Sequence, residues 1–258
     1  MQSVTEKVSV SMAPERRFGI RRILYINMPG DFFRRSLLKL LLRKLPYRHH
    51  WIRGVAYDVN NLAQQKYVAG GVQQYLSEQP IRSKGVVGLW IAHSLALEAI
   101  EEREGITVIV EDDFVCRADF FEVAQRMVND FDRQFDVIMF DCLGSGPLES
   151  HKISTNVYQS EGETFPVYWG SHCLFVNNRS IEKILKAKQV WPAKDIDGFH
   201  LERSSGLDVF LFYTGRCTQI YFGSRISGTG QTVKSFIRGL TTWFKWTRGT
   251  YRSAREDE

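Results

Sequence analysis

Two rhythms take turns along this chain. Short unbroken apolar runs alternate with longer stretches whose apolar residues fall three or four positions apart. RILYINM (22–28) is the first run; PGD follows it, and FFRRSLLKLLLRKL then has helical spacing, so the pattern predicts a strand, a turn and a helix. HHWIRGVAYDV (49–59) predicts a second strand, and the polar stretch after it, up to residue 80, predicts surface. GVVGLWIAHSLALEAIEERE (85–104) predicts an amphipathic helix, broken by Gly105. ITVIV (106–110) is a fully apolar strand of the kind buried on both faces, ADFFEVAQRMVNDF is a helix, and FDVIMFD (135–141) is another buried strand. Helix and buried strand in alternation place the chain in the α/β class.

Composition sharpens this only in part. With 258 residues and 43% hydrophobic content the chain can bury one generous core, and one principal domain over 20–233 is expected, after a loose extension at 1–19. That extension has no apolar segment of the secretory kind, and no uncharged apolar run reaches the roughly 18 residues of a bilayer span. Cys116, Cys142, Cys173 and Cys217 form no C-x-x-C pair, so reduced thiols and a cytoplasmic location are expected. The net charge of +5 suits a phosphate-bearing partner.

Chemistry concentrates after the strand ITVIV, where Glu111, Asp112 and Asp113 follow one another. In open α/β sheets ligands bind beyond the carboxyl ends of strands, which is where these acids fall. Capping of the next helix through its dipole would explain one or two of them. Three carboxylates repel one another unless a cation intervenes, and hard oxygens suit Mg2+ or Mn2+ bridging to a substrate diphosphate. A receiver-type phospho-signalling domain also sets an acid pair after a strand and a further aspartate later, which Asp141 could mimic with Lys194 behind it. From Asp113 to Asp141, however, the chain has room for one helix and one strand, not two crossovers.

A longer ordered set of landmarks resembles glycosyltransferase family 25, which builds lipopolysaccharide glycans and includes collagen galactosyltransferases. The set comprises YIN (25–27) with Arg34 and Arg35, GVVGLWIAH (85–93) against a G-E-x-G-C-x-x-S-H pattern, and EDD at 111–113. It continues with YWGSHCLFVNNRSIEKIL (168–185) against W-G-T-H-A-Y, and GLDVFLFY (206–213) against P-V-D-x-F-L. Val86, Leu89, Ala92 and Gly206 stand where the family has Glu, Cys, Ser and Pro. The resemblance implies a GT-A fold with a mixed, mostly parallel Rossmann-type sheet, an inverting mechanism, a nucleotide-sugar donor such as UDP-galactose, and a glycan or lipid-linked acceptor. It also implies the roles. Asp113, with Glu111, would bind Mn2+ or Mg2+; Asn27, Arg34, His93, Glu111 and Asp112 would hold the donor. Asp208 would be the general base, with Asp197 in reserve, and Asp141 and His172 would meet the acceptor. Asp208 reads equally well as the N-cap of a helix starting at Val209. A glycan-binding or scaffolding relative of the same fold is the non-enzymatic alternative.

The last stretch, 234–258, is distinct. KSFIRGLTTWFKWTRGTYRSAR interleaves cations with aromatics and holds no acid, which suits peripheral contact with an anionic membrane face better than nucleic acid.

Overall fold

The computed structural model describes residues 18–68, 80–144, 152–159, 168–190, 199–200, 205–220 and 233–248. In chain order the elements are β1 (Ile20–Asn27), α1 (Phe32–Leu42), β2 (Arg48–Arg53), a short α2 (Leu62–Gln65), α3 (Pro80–Glu98), β3 (Ile106–Glu111), β4 (Phe114–Cys116) and α4 (Phe120–Asp130). Then come β5 (Val137–Phe140), β6 (Leu143–Gly144), β7 (Lys152–Ser154), β8 (Val157–Gln159), β9 (Tyr168–Trp169), β10 (Cys173–Asn177) and α5 (Ile181–Val190). The last are β11 (Val209–Phe212), β12 (Cys217–Gln219) and α6 (Val233–Thr247).

Eight strands form one mixed sheet in the order β2-β1-β3-β10-β5-β11-β8-β7, and β12-β4 and β6-β9 form two-stranded ladders. Ladders β2–β1, β1–β3 and β5–β11 are parallel. β10 runs antiparallel between β3 and β5, so those two strands still point the same way. The carboxyl ends of β1, β3, β5 and β11 and the amino end of β10 therefore share one end of the sheet.

Strand alternation sends side chains to two cores. Leu24, Ile26, Ile109, Met139, Leu174 and Leu211 face α3 and α5; Ile23, Tyr25, Val108, Val110, Phe140 and Phe175 face α1 and α4. Both faces being covered is why β3 and β5 read as unbroken apolar runs. Two glycines permit close contacts. A Cβ on Gly88 of α3 would come within 2.1 Å of the Val55 carbonyl oxygen, and Gly105 has a φ of +86° with a Cβ position 2.7 Å from the Gly19 carbonyl.

Several boundaries differ from expectation. β2 stops at Arg53, one residue before Gly54, whose amide still donates to the Asn27 carbonyl and where a Cβ would crowd Met28. α3 begins at Pro80 and ends at Glu98; the charged 101–104 segment turns back instead, where Glu102 pairs with Arg22 at 2.5 Å. Val209 begins a strand and not a helix, so Asp208 has no helix to cap. All four cysteines are free, buried thiols.

Candidate active site

β3 ends at the shared end of the sheet, and alternation splits its acids. Glu111 points to the α3 side, following Ile109, while Asp112 is turned to the α1 side. Each acid has its own hydrogen-bond surroundings, yet the three stay close enough for Glu111 and Asp112 to act on Asp113.

Glu111 Oε1 accepts from Ser171 Oγ at 2.5 Å and lies 3.4 Å from His93 Nε2 on α3. Burial opposes ionisation of Glu111, but the His93 and Ser171 contacts outweigh it and hold the carboxyl below its ordinary value. His93, 1% exposed, is pushed down by burial, with Glu111 opposing that shift. Asp112 accepts from Asn27 Nδ2 at 2.7 Å and from Arg34 at 3.1 Å, and Asp31 adds a 3.4 Å contact to the same guanidinium. Burial raises the Asp112 carboxyl, with Arg34 and Asn27 offsetting part of that. Burial works against Arg34 as well, yet Asp112, Asp113 and Asp31 raise it overall, so the guanidinium stays charged.

Asp113 is different. Its Oδ2 accepts from Gln219 at 2.7 Å and its backbone carbonyl from the Ile220 amide at 2.7 Å, both contributed by β12 and the residue after it. Its Oδ1 is buried without a partner. Burial, then Glu111 and Asp112, lifts the carboxyl well above its ordinary range. The Gln219 hydrogen bond and the Arg34 guanidinium offset only part of that. Among the described residues no group of three or more His, Cys, Asp or Glu side chains is disposed to hold a metal ion. Mg2+ and Mn2+ bind through one or two carboxylates and complete their shell with water and phosphate, and the partnerless Asp113 Oδ1 is one oxygen of that kind.

His172 immediately precedes β10, and its backbone carbonyl accepts from the Glu111 amide. Its ring is fully buried with neither nitrogen hydrogen-bonded, and burial keeps it neutral against the pull of Glu111 and Asp141. Asp141 is at the same end of the sheet but is fully engaged. With φ at 48°, it accepts from the amides of Thr214, Gly215, Arg216 and Cys217 and from the Thr214 hydroxyl. Five donors engage its carboxylate, which makes Asp141 the anchor of the turn into β12 and leaves it little capacity for an acceptor hydroxyl.

No protein-family model matches the chain, and no curated protein matches it either. Solved structures do. The 4-diphosphocytidyl-2C-methyl-D-erythritol synthase from Anaerococcus prevotii aligns at 10% identity over 86% of this chain and 78% of its own, with a TM-score of 0.42. A Drosophila galactosyltransferase mutant in complex with manganese, UDP-Gal and xylobiose aligns at 10% identity over 87% and 79%, with a TM-score of 0.39. The glycosyltransferase GlyE of Streptococcus pneumoniae aligns at 10% identity over 66% of this chain and 39% of its own, with a TM-score of 0.35. Likeness at this level says nothing about activity, and none of it points to family 25 in particular.

One expected site residue lies elsewhere. Asp208 precedes β11, whose first residue pairs with Val137 at the start of β5, so it sits at the opposite end of the sheet from Glu111. There its carboxylate lies 3.3 Å from Lys183 Nζ, beside the tighter 2.5 Å pair of Lys183 with Asp136. The base role does not fit that position, because a whole strand separates it from Asp113. Asp197 lies outside the described residues. Ser171, Gln219 and Asp31 were missed. Ser171 is next to His172 in the WGSH stretch and was findable there; Gln219 reaches Asp113 only through the β4–β12 ladder, for which the sequence carries no local signal.

Proposed function

We propose that this chain is an inverting, metal-dependent glycosyltransferase that moves a sugar, galactose in the reading its motifs imply, from a nucleotide-sugar donor to a lipopolysaccharide or other glycan acceptor. The observation that carries this is Asp113: a buried carboxylate oxygen without a partner, next to two further acids, at the carboxyl end of a central strand. A divalent ion bound there supplies Lewis-acid stabilisation of the departing diphosphate. Asp113 would hold that ion, and Glu111, kept ionised by His93 and Ser171, would add negative charge beside it. Asn27 and Arg34 fix Asp112 and close the α1 side of the site, and Arg34's planar fork is suited to phosphate once donor displaces part of its pairing. With Asp208 at the far end of the sheet, the neutral ring of His172 is the group we assign to take the acceptor hydroxyl's proton; Asp197 remains the alternative.

Thermal-shift measurements with nucleotide sugars, with and without Mn2+, test the reading. Stabilisation reaches about 2.7 kcal/mol at a hundredfold excess of ligand over its dissociation constant. Mn2+-dependent stabilisation by at least one donor is expected in the wild type and should vanish in Asp113→Asn, whose fold should persist because a buried ionisable group is being removed. An equal response from Asp113→Asn would sink the assignment. His172→Asn should bind donor normally and lose transfer by about 10²-fold or more.

The protein partners already supplied to Glu111 and Asp112 favour a second reading, a donor- or glycan-binding relative without turnover. Donor hydrolysis decides: binding with Mn2+ but neither hydrolysis nor transfer is its signature.

A further inference from the structure

α6 has two unlike faces. Inward, Trp243 and Trp246 pack on Val115 and Ile220, with Phe33 and Leu37 of α1 against the same cluster. Outward, Ile237 and Phe244 are 57% and 47% exposed, with Arg238, Thr241, Lys245 and Arg248 exposed around them. Ile237, Thr241, Phe244 and Arg248 are spaced four, three and four apart, which makes one stripe on a helix, and Arg238 and Lys245 flank it. The Arg248 guanidinium lies 5.6 Å from the Phe244 ring centre. No Asp or Glu occurs between residues 233 and 255.

We propose that this outer face of α6 is a docking surface for an anionic lipid bilayer. A helix of 15 residues, about 22 Å long, lies along an interface and does not cross it. Ile237 and Phe244 enter the acyl boundary while Arg238, Lys245 and Arg248 meet anionic headgroups. From composition alone the tryptophans would be expected at the lipid; the fold turns Trp243 and Trp246 inward instead, where they fix the helix to the body and hold the outer stripe in place. Two observations select the occupant. A single-stranded nucleic acid needs successive rings to stack its bases, and Phe244 is the one ring among the described exposed residues of this face. A second copy of the chain would bring the same cations against each other.

The proposal goes beyond the transferase reading and stands apart from it, since vesicle binding is measured with neither donor nor acceptor present. The full chain is co-sedimented with phosphatidylcholine vesicles and with vesicles in which part of that lipid is replaced by phosphatidylglycerol. Sedimentation with the anionic vesicles alone is expected, weakening as salt is added. Ile237→Asp with Phe244→Asp should abolish it with unchanged circular dichroism and melting, both side chains being exposed. Arg238→Gln and Arg248→Gln should each weaken it roughly fivefold. Absent sedimentation, equal sedimentation with both vesicle types, or undiminished binding by the double aspartate variant overturns the proposal. So does capture of a single-stranded oligonucleotide by protein that ignores the vesicles.

Discussion

Lys188 occupies a position where its residue type is a poor guide to its surroundings. On α5 it continues the buried stripe of Ile181 and Ile184, with 3% of its surface exposed, its Nζ 3.2 Å from the centre of the Trp90 ring and no hydrogen-bond partner. A ring face under a cation is worth about 2 kcal/mol when desolvated, whereas an unpaired buried ammonium costs more than that, so burial drives the amine well below its ordinary value. Between that lowered value and the unfolded value of about 10.4, the unfolded chain binds a proton that the folded chain does not. Stability therefore rises with pH across that window and falls as pH drops towards the folded value. Melting temperature should climb from pH 7 to pH 9 in the wild type, and Lys188→Met, which keeps the volume, should melt higher at pH 7 and lose that climb. Parallel melting curves for the two proteins would show that the amine is charged in the fold. The spacing of Ile181, Ile184 and position 188 fits one face of a helix, and nothing in that spacing says that a lysine is one of its members.

At the scale of elements, the long pieces were legible and the short ones were not. RILYINM, ITVIV and FDVIMFD gave β1, β3 and β5 because strands covered on both faces must be apolar throughout. The β4–β12 ladder joins Phe114–Cys116 to Cys217–Gln219, three residues each and a hundred apart, and no periodicity can develop over so short a span. Yet it delivers Gln219 to Asp113, and what aligns it is Asp141, set at positive φ with its carboxylate filled by the turn at 214–217. Asp141→Ala leaves several amides of that turn without acceptors, each unsatisfied group costing about 1–3 kcal/mol if it stays buried. A loss of about 3 kcal/mol or more in chemical denaturation is expected, together with a weaker Mn2+-dependent donor response because Gln219 shifts. A variant as stable as the wild type would mean that water replaces the carboxylate and the turn does not need it.

For the molecule as a whole, the decisive fact is that a sheet has two ends, and chain order does not say at which of them a given acid falls. Asp208 matched a motif, but its strand is parallel to β5 and begins there, so the acid lies among Asp136, Lys183 and Asn177 at the end away from Glu111. The placement of EDD was legible because it follows its strand; that of Asp208 was not, because a short apolar run after an Asp fits a capped helix as well as a strand. The two ends predict opposite phenotypes. Asp208 is 58% and Lys183 47% exposed, a pair worth about 0–1 kcal/mol, so Asp208→Asn should change melting little and leave donor binding and transfer as in the wild type. Asp136, 7% exposed and bonded to both Lys183 and the Asp208 amide, carries that end, and Asp136→Ala should destabilise the protein without a selective loss of Mn2+-dependent donor binding. Kinetic assays of the purified variants at matched folded fraction read this directly. Loss of transfer in Asp208→Asn with donor binding intact would return the base to Asp208, and would require the acceptor to reach an end of the sheet that Asp113 does not share.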